Sequence, residues 1–80
     1  METTEYFRVH VMRKRPYLRE AWLEEAARHP LNRQIQPDGR VRAWTWVEEM
    51  GKYLRVIWLA DGIVVHNAFP DRRFKGGTKT

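Results

Sequence analysis

The sequence predicts an α+β fold: one main helix packed on one face of a four- or five-stranded, mainly antiparallel sheet, in the order β-α-β-β-β-β. Three observations carry that reading. Residues 17–29 repeat their apolar positions at helical spacing, with Leu18, Trp22 and Ala26 at i, i+4 and i+8. Residues 41–47, VRAWTWV, alternate at strand spacing. Asp61-Gly62 then sits between two β-branched runs, the strongest short hairpin signal.

In chain order, EYFRVHV (5–11) is short and rich in β-formers, and is expected to be a first strand. MRKRP (12–16) is a basic connector closed by Pro16, which suits a helical first turn. The helix follows over 17–29, stopped by Pro30. NRQIQ (32–36) is a short strand and PDGR (37–40) a tight turn. VRAWTWV (41–47), YLRVIWLA (53–60) and IVVHNAF (63–69) complete an antiparallel meander. Residues 1–75 are expected to form one domain. Residues 76–80, rich in glycine and charge, are expected to fray.

A two-residue DG turn pairs Trp58 with Val65, Val56 with Asn67 and Leu54 with Phe69. One face is then apolar and expected to meet the helix, with Trp22 and Trp58 in one core. His66 projects from the other face, near Arg55. For residues 41–47 two placements remain open. Either Arg42, Trp44 and Trp46 join Tyr53, Arg55 and His66 on the second face, or the strand is turned over and both tryptophans are core.

The 80 residues carry 15 Lys+Arg against 10 Asp+Glu, a net charge of +5, and eleven of the cations are arginine. Arginine forks match phosphate and stack on bases, so the balance favours a polyanion such as RNA. Cysteine and serine are absent, which excludes both as nucleophiles and excludes disulfides. The three histidines lack metal-ligand spacing, and no glycine-rich phosphate loop is present, so neither a metal nor a cofactor is expected. No apolar run has membrane-spanning length, and METTEYF lacks signal-peptide shape, so a cytoplasmic setting without a membrane partner is expected.

His29 reads as a helix C-terminal residue. His10 and His66 lie among arginines, whose charge favours the neutral imidazole a general base needs. Cleavage of RNA by its own 2′-hydroxyl requires only such a base, an acid and a cation. The residue types therefore suit a metal-independent endoribonuclease, with Arg42 and Arg55 on the phosphate and His66 or His10 moving protons. Arg13, Arg15, Trp44, Trp46, Tyr53 and Arg72 would bind RNA by charge and stacking. A non-enzymatic module binding RNA or protein through the same face is the alternative, and a homodimer through Ile57, Leu59 and Val64 is a third reading.

The run HVMRKRP, a helix ending in HP, and then QPDGRVRAWTWVEEMGKYLRVIWLADGIVVHNAFPDRRF resembles a family of small prokaryotic domains similar to the BrnT and RelE toxins. These share a fold group with barnase-like, metal-independent ribonucleases. The resemblance covers residues 6–74. It implies an early histidine separated by two to four residues from an arginine, and basic residues on the central strands, as the chemistry-bearing parts, which here match His10, Arg13, Arg42 and Arg55. Where related last strands present a threonine before alanine, this chain has Asn67 before Ala68, with His66 just ahead. A toxin of this kind implies an acidic antitoxin as partner.

Overall fold

A computed structural model describes residues 1–75. The expected tail at 76–80 lies outside the described residues. The fold is α+β, with a four-stranded antiparallel sheet in the order β1-β2-β3-β4. The strands are β1 (Asn32–Ile35), β2 (Val41–Val47), β3 (Lys52–Trp58) and β4 (Val65–Pro70). Helical segments cover one face of it. The main helix, α2 (Glu20–Arg28), packs on β2 and β3. No helix of the described residues is long and apolar enough to cross a membrane.

The first strand expected from EYFRVHV is a helix instead. Residues 5–14 are helical throughout, with a π-helical stretch over Phe7–Val11 running into α1 (Met12–Lys14). The order is therefore helix-helix-β-β-β-β, not β-α-β-β-β-β. Burial explains why: Phe7 and Val11, at i and i+4, are buried, whereas Val9 between them is exposed. A strand would have put Phe7, Val9 and Val11 on one side. The start signal is Thr4, whose Oγ1 accepts from the Phe7 backbone N–H at 3.0 Å while its carbonyl accepts from Arg8 N–H. Glu5 in the first turn favours the same helix through its charge. Only residues 2–4 keep strand character. Thr3 bridges Val65 in parallel, Val65 N–H donates to Glu2 O, and Thr4 N–H donates to Val65 O.

Thr4→Ala is expected to cost about 1 kcal/mol, within the ordinary 0.5–2 kcal/mol range for losing a helix cap. Urea denaturation checks it; an unchanged midpoint would mean that the hydroxyl does not hold the helix start.

α2 begins three residues later than the periodicity suggests. Arg19 is extended at the cap position, and Pro16 sits in the turn before it. Leu18 is buried even so, and the core runs from Phe7, Val11, Leu18, Leu23 and Ala26 to Val41, Ala43, Val47, Leu54, Val56, Trp58, Val65 and Ala68. Trp58 is fully within it, and Trp22 packs half-buried against its rim. No buried side-chain polar atom among the described residues lacks a hydrogen-bond partner.

The β1–β2 turn forms as expected, with Gly39 at φ 91° and Gly39 N–H donating to Gln36 O at 2.8 Å. The Asp61-Gly62 turn is looser than a two-residue hairpin, because the strands end at Trp58 and resume at Val65. Trp58 pairs with Val65 as expected, but Ile57 then pairs with Asn67, Val56 with Ala68, Arg55 with Phe69 and Leu54 with Pro70. His66 is the extra residue of a β-bulge. The one-residue slip exchanges faces: Ala68 enters the core, and Asn67 and Phe69 move to the second face beside Ile57 and Arg55.

Candidate functional site

The bulge sets the position of His66. Residues 2–4 are hydrogen-bonded to Val65, so Thr4 lies beside the next residue along β4. Thr4 Oγ1 is 3.1 Å from His66 Nδ1. One hydroxyl thus caps the helical run and fixes an imidazole ring. With Nδ1 occupied, Nε2 is the atom left to exchange a proton.

The helical run brings Tyr6 and His10 to the same place. Tyr6 stacks on His66, with ring centroids 4.9 Å apart and planes at 26°. His10, one turn on from Tyr6, meets it at 5.3 Å. The two histidines singled out from sequence therefore converge on one aromatic ring. Tyr6 and His10 are exposed, and His66 is half-buried. The cluster is open surface, a geometry that suits part of a long polymer better than an enclosed small molecule. Partial burial, and secondarily the Arg40 charge, hold the His66 imidazole below its ordinary value of 6.5, in favour of the neutral ring.

The arginine face is arranged differently. Val41, Ala43, Thr45 and Val47 turn to the core, while Arg42, Trp44 and Trp46 stand on the second face with Tyr53 and Arg55. Trp44 is nevertheless buried there, because the chain after β4 folds back over it. Phe74 stacks on its ring at 4.7 Å and 7°. Asp71 Oδ2 accepts from Trp44 Nε1 at 2.8 Å and from Arg55 Nε at 3.0 Å, with Arg55 Nη2 at 2.9 Å. The Arg55 guanidinium also lies over Trp44 and Phe69, 5.2 Å from each centroid. Arg42 donates twice to Gln34 Oε1, at 2.9 and 2.7 Å, and lies 5.5 Å over Trp44. Both arginines expected on phosphate thus have protein partners. Among the described residues, no hydrogen bond, ion pair or ring contact joins them to His10 or His66.

The remaining basic residues are spread. Arg13 is exposed on α1 and Arg72 on the turn after β4, while Arg15 reaches over Phe69 at 5.8 Å. Trp46 is exposed and meets Tyr53 edge-on at 4.9 Å, near the end of the sheet away from His66. His29 ends α2, its ring 3.7 Å from Glu25. No group of three metal-ligating side chains occurs among the described residues.

Sequence reasoning does not find Tyr6, Thr4 or Arg40 as parts of a site; it expects Asp71 to pair with Arg72 or Arg13 at the exit of the last strand, whereas the partner is Arg55. The Thr4-Glu5 start signal, set against the i, i+4 pair Phe7/Val11, is the feature that would have turned Tyr6 and His10 onto one helical face.

No family model, curated protein or solved structure matches this chain.

Proposed function

We propose that the chain acts on RNA as a metal-independent endoribonuclease, with its proton-transfer centre at His66, Tyr6 and His10. The observation that carries this reading is the convergence of two imidazoles from distant parts of the sequence on one exposed ring. His66, biased to the neutral form, is the base. Its Nδ1–H donates to Thr4 Oγ1, and Nε2 takes the proton of a ribose 2′-hydroxyl. The freed oxygen attacks the adjacent phosphorus, and the 5′-oxygen leaves with a proton from His10. Arg40, whose charge acts on His66 and whose guanidinium lies 3.8 Å from the exposed Asp38 carboxylate, supplies the cation for the negative charge of the phosphorane. The products are a 2′,3′-cyclic phosphate and a 5′-hydroxyl. Tyr6 offers a ring on which a neighbouring base can stack, and Arg13 a cation for the flanking backbone.

In this arrangement Arg55 is a positioning residue: it holds Asp71, and through it the second face. The competing reading is a module that binds RNA without cutting it. The observation in its favour is that Arg42 and Arg55 are both engaged by protein groups.

The test is incubation of the purified protein, with chelator present, with a broad panel of RNAs that includes ribosome-bound message. Cutting is expected. If every RNA stays intact while some are bound, the binding module takes the enzyme's place. An acidic protein that blocks both binding and cutting is the partner expected for such a toxin.

A further inference from the structure

Resting on the RNA reading, we propose that the cleft between Trp46, Tyr53 and Phe74 is a stacking subsite for one unpaired nucleobase, with Lys52 and Arg72 on its flanking phosphates. The cavity there is about 280 Å³. That is near the small end of the roughly 300–1,000 Å³ typical of ligand pockets, so it suits one ring system rather than a larger ligand. Its walls are fixed in advance. The Trp46 indole N–H donates to Glu48 at 2.9 Å. Tyr53 stands edge-on to Trp46, and is itself braced edge-on by Phe74 at 5.1 Å. Yet 44% of Trp46 remains open to solvent. A rigid, exposed indole beside a preformed slot offers stacking at little entropic cost.

Charge selects the occupant. Asp71 lines the cleft, but its carboxylate is paired with Arg55. Lys52 and Arg72 are exposed at the cleft, and among the described residues neither is in an ion pair. Cations beside a free aromatic face match a phosphate-linked base better than an apolar peptide. The base must be unpaired, because duplex RNA keeps its bases stacked and inside. The cleft also lies along the same sheet as the histidine cluster. Tyr53 and the Ile57/Trp58 bulge are four to five residues apart on β3, about 15 Å at strand rise.

The test uses a dye-labelled oligonucleotide made uncleavable by 2′-deoxy substitution, as a single strand and as a closed hairpin duplex, so binding is read apart from any cutting. Trp46→Ala is expected to weaken single-strand binding on the order of 10-fold or more, as for loss of one base–aromatic stack, and to leave duplex binding unchanged. Trp46→Phe should keep most of the affinity, which separates stacking from a folding defect. Lys52→Ala and Arg72→Ala should each reduce the slope of log affinity against log salt by about 0.7, one single-strand phosphate. Equal losses on single strand and duplex with Trp46→Ala, or wild-type binding that does not prefer the single strand, overturns the subsite. That result would leave cleavage untouched, just as a failure to cut RNA would leave this binding contrast standing.

Discussion

Asp71→Ala is expected to destabilise the fold by about 3 kcal/mol, the low end of what breaking a buried ion pair costs. One carboxylate serves four donors. Oδ2 takes the Trp44 indole and two Arg55 nitrogens, and Oδ1 takes the Arg73 backbone N–H at 2.9 Å. Its removal leaves the indole N–H of a buried tryptophan without a partner and the Arg55 guanidinium, on a side chain three-quarters buried, without its counter-ion. The Arg55 side chain keeps some contact with water, which is why the lower figure applies. At about 4–8 °C per kcal/mol for a domain of this size, the melting midpoint should fall by more than 10 °C. The same carboxylate makes the fold sensitive to acid. Burial alone would raise Asp71, but the Trp44, Arg73 and Arg55 donors outweigh it and hold the group below its ordinary 3.8. The folded state then binds fewer protons than the unfolded chain, so this stabilisation is present above about pH 3.8 and is lost as pH falls through the lowered folded value. Urea midpoints from pH 7 to pH 2.5 should show a steeper acid decline in wild type than in Asp71→Asn. A variant as stable as wild type would mean that the segment after β4 lies on the sheet without holding it.

His66→Ala and His10→Ala are each expected to lower kcat/KM for RNA cleavage by about 10²–10⁴-fold, the usual range for a general acid or base, with folding retained. The pH profile separates proton transfer from mere contact. Burial first, and the Arg40 charge second, place the His66 imidazole below 6.5. The acid limb of kcat/KM, which reports the free enzyme, should therefore lie below pH 6.5. Arg40→Gln should move that limb upward by removing the repelling charge. Stability carries the same sign: the neutral ring is favoured by folding, so the contribution is full above pH 6.5 and declines as pH falls toward the lowered folded value. Full activity in either histidine variant would remove that imidazole from the chemistry.

The sheet was legible in the sequence because its signals are local. Alternation in VRAWTWV divides that strand into two faces without saying which meets the core, and the structure turns Val41, Ala43, Thr45 and Val47 inward; Asp38-Gly39 marks the first turn. The first helix was not legible by the same means. Val9 and Val11 are β-branched, and a seven-residue run admits both periods until burial shows Val9 outside. The second miss, the slip at His66, is invisible to a turn rule, because a bulge adds a residue without any special residue type. Its cause is tertiary: residues 2–4 hydrogen-bond to Val65, and Thr4 draws in the His66 ring. The two misses share one consequence. Without the helix and the bulge, His10 and His66 stay apart on separate strands; with them, both rings meet Tyr6. Arg55 lies on the expected face, but the carboxylate it meets is Asp71 rather than one such as Glu48, which instead accepts from the Trp46 indole. Asp71 reaches Arg55 only because the chain turns back after Pro70, with Asp71 N–H donating to Tyr53 O at 2.9 Å.

The most direct test of a metal-independent site at Tyr6, His10 and His66 is the end chemistry of RNA cut by the purified protein in chelator, beside the same strand carrying one 2′-deoxy sugar at the cut. Attack by the 2′-hydroxyl predicts a 2′,3′-cyclic phosphate on the upstream fragment and no cutting at the deoxy linkage, with the deoxy strand still bound. Cutting at the deoxy linkage, or activity that vanishes with chelator and returns with a divalent metal, would contradict it.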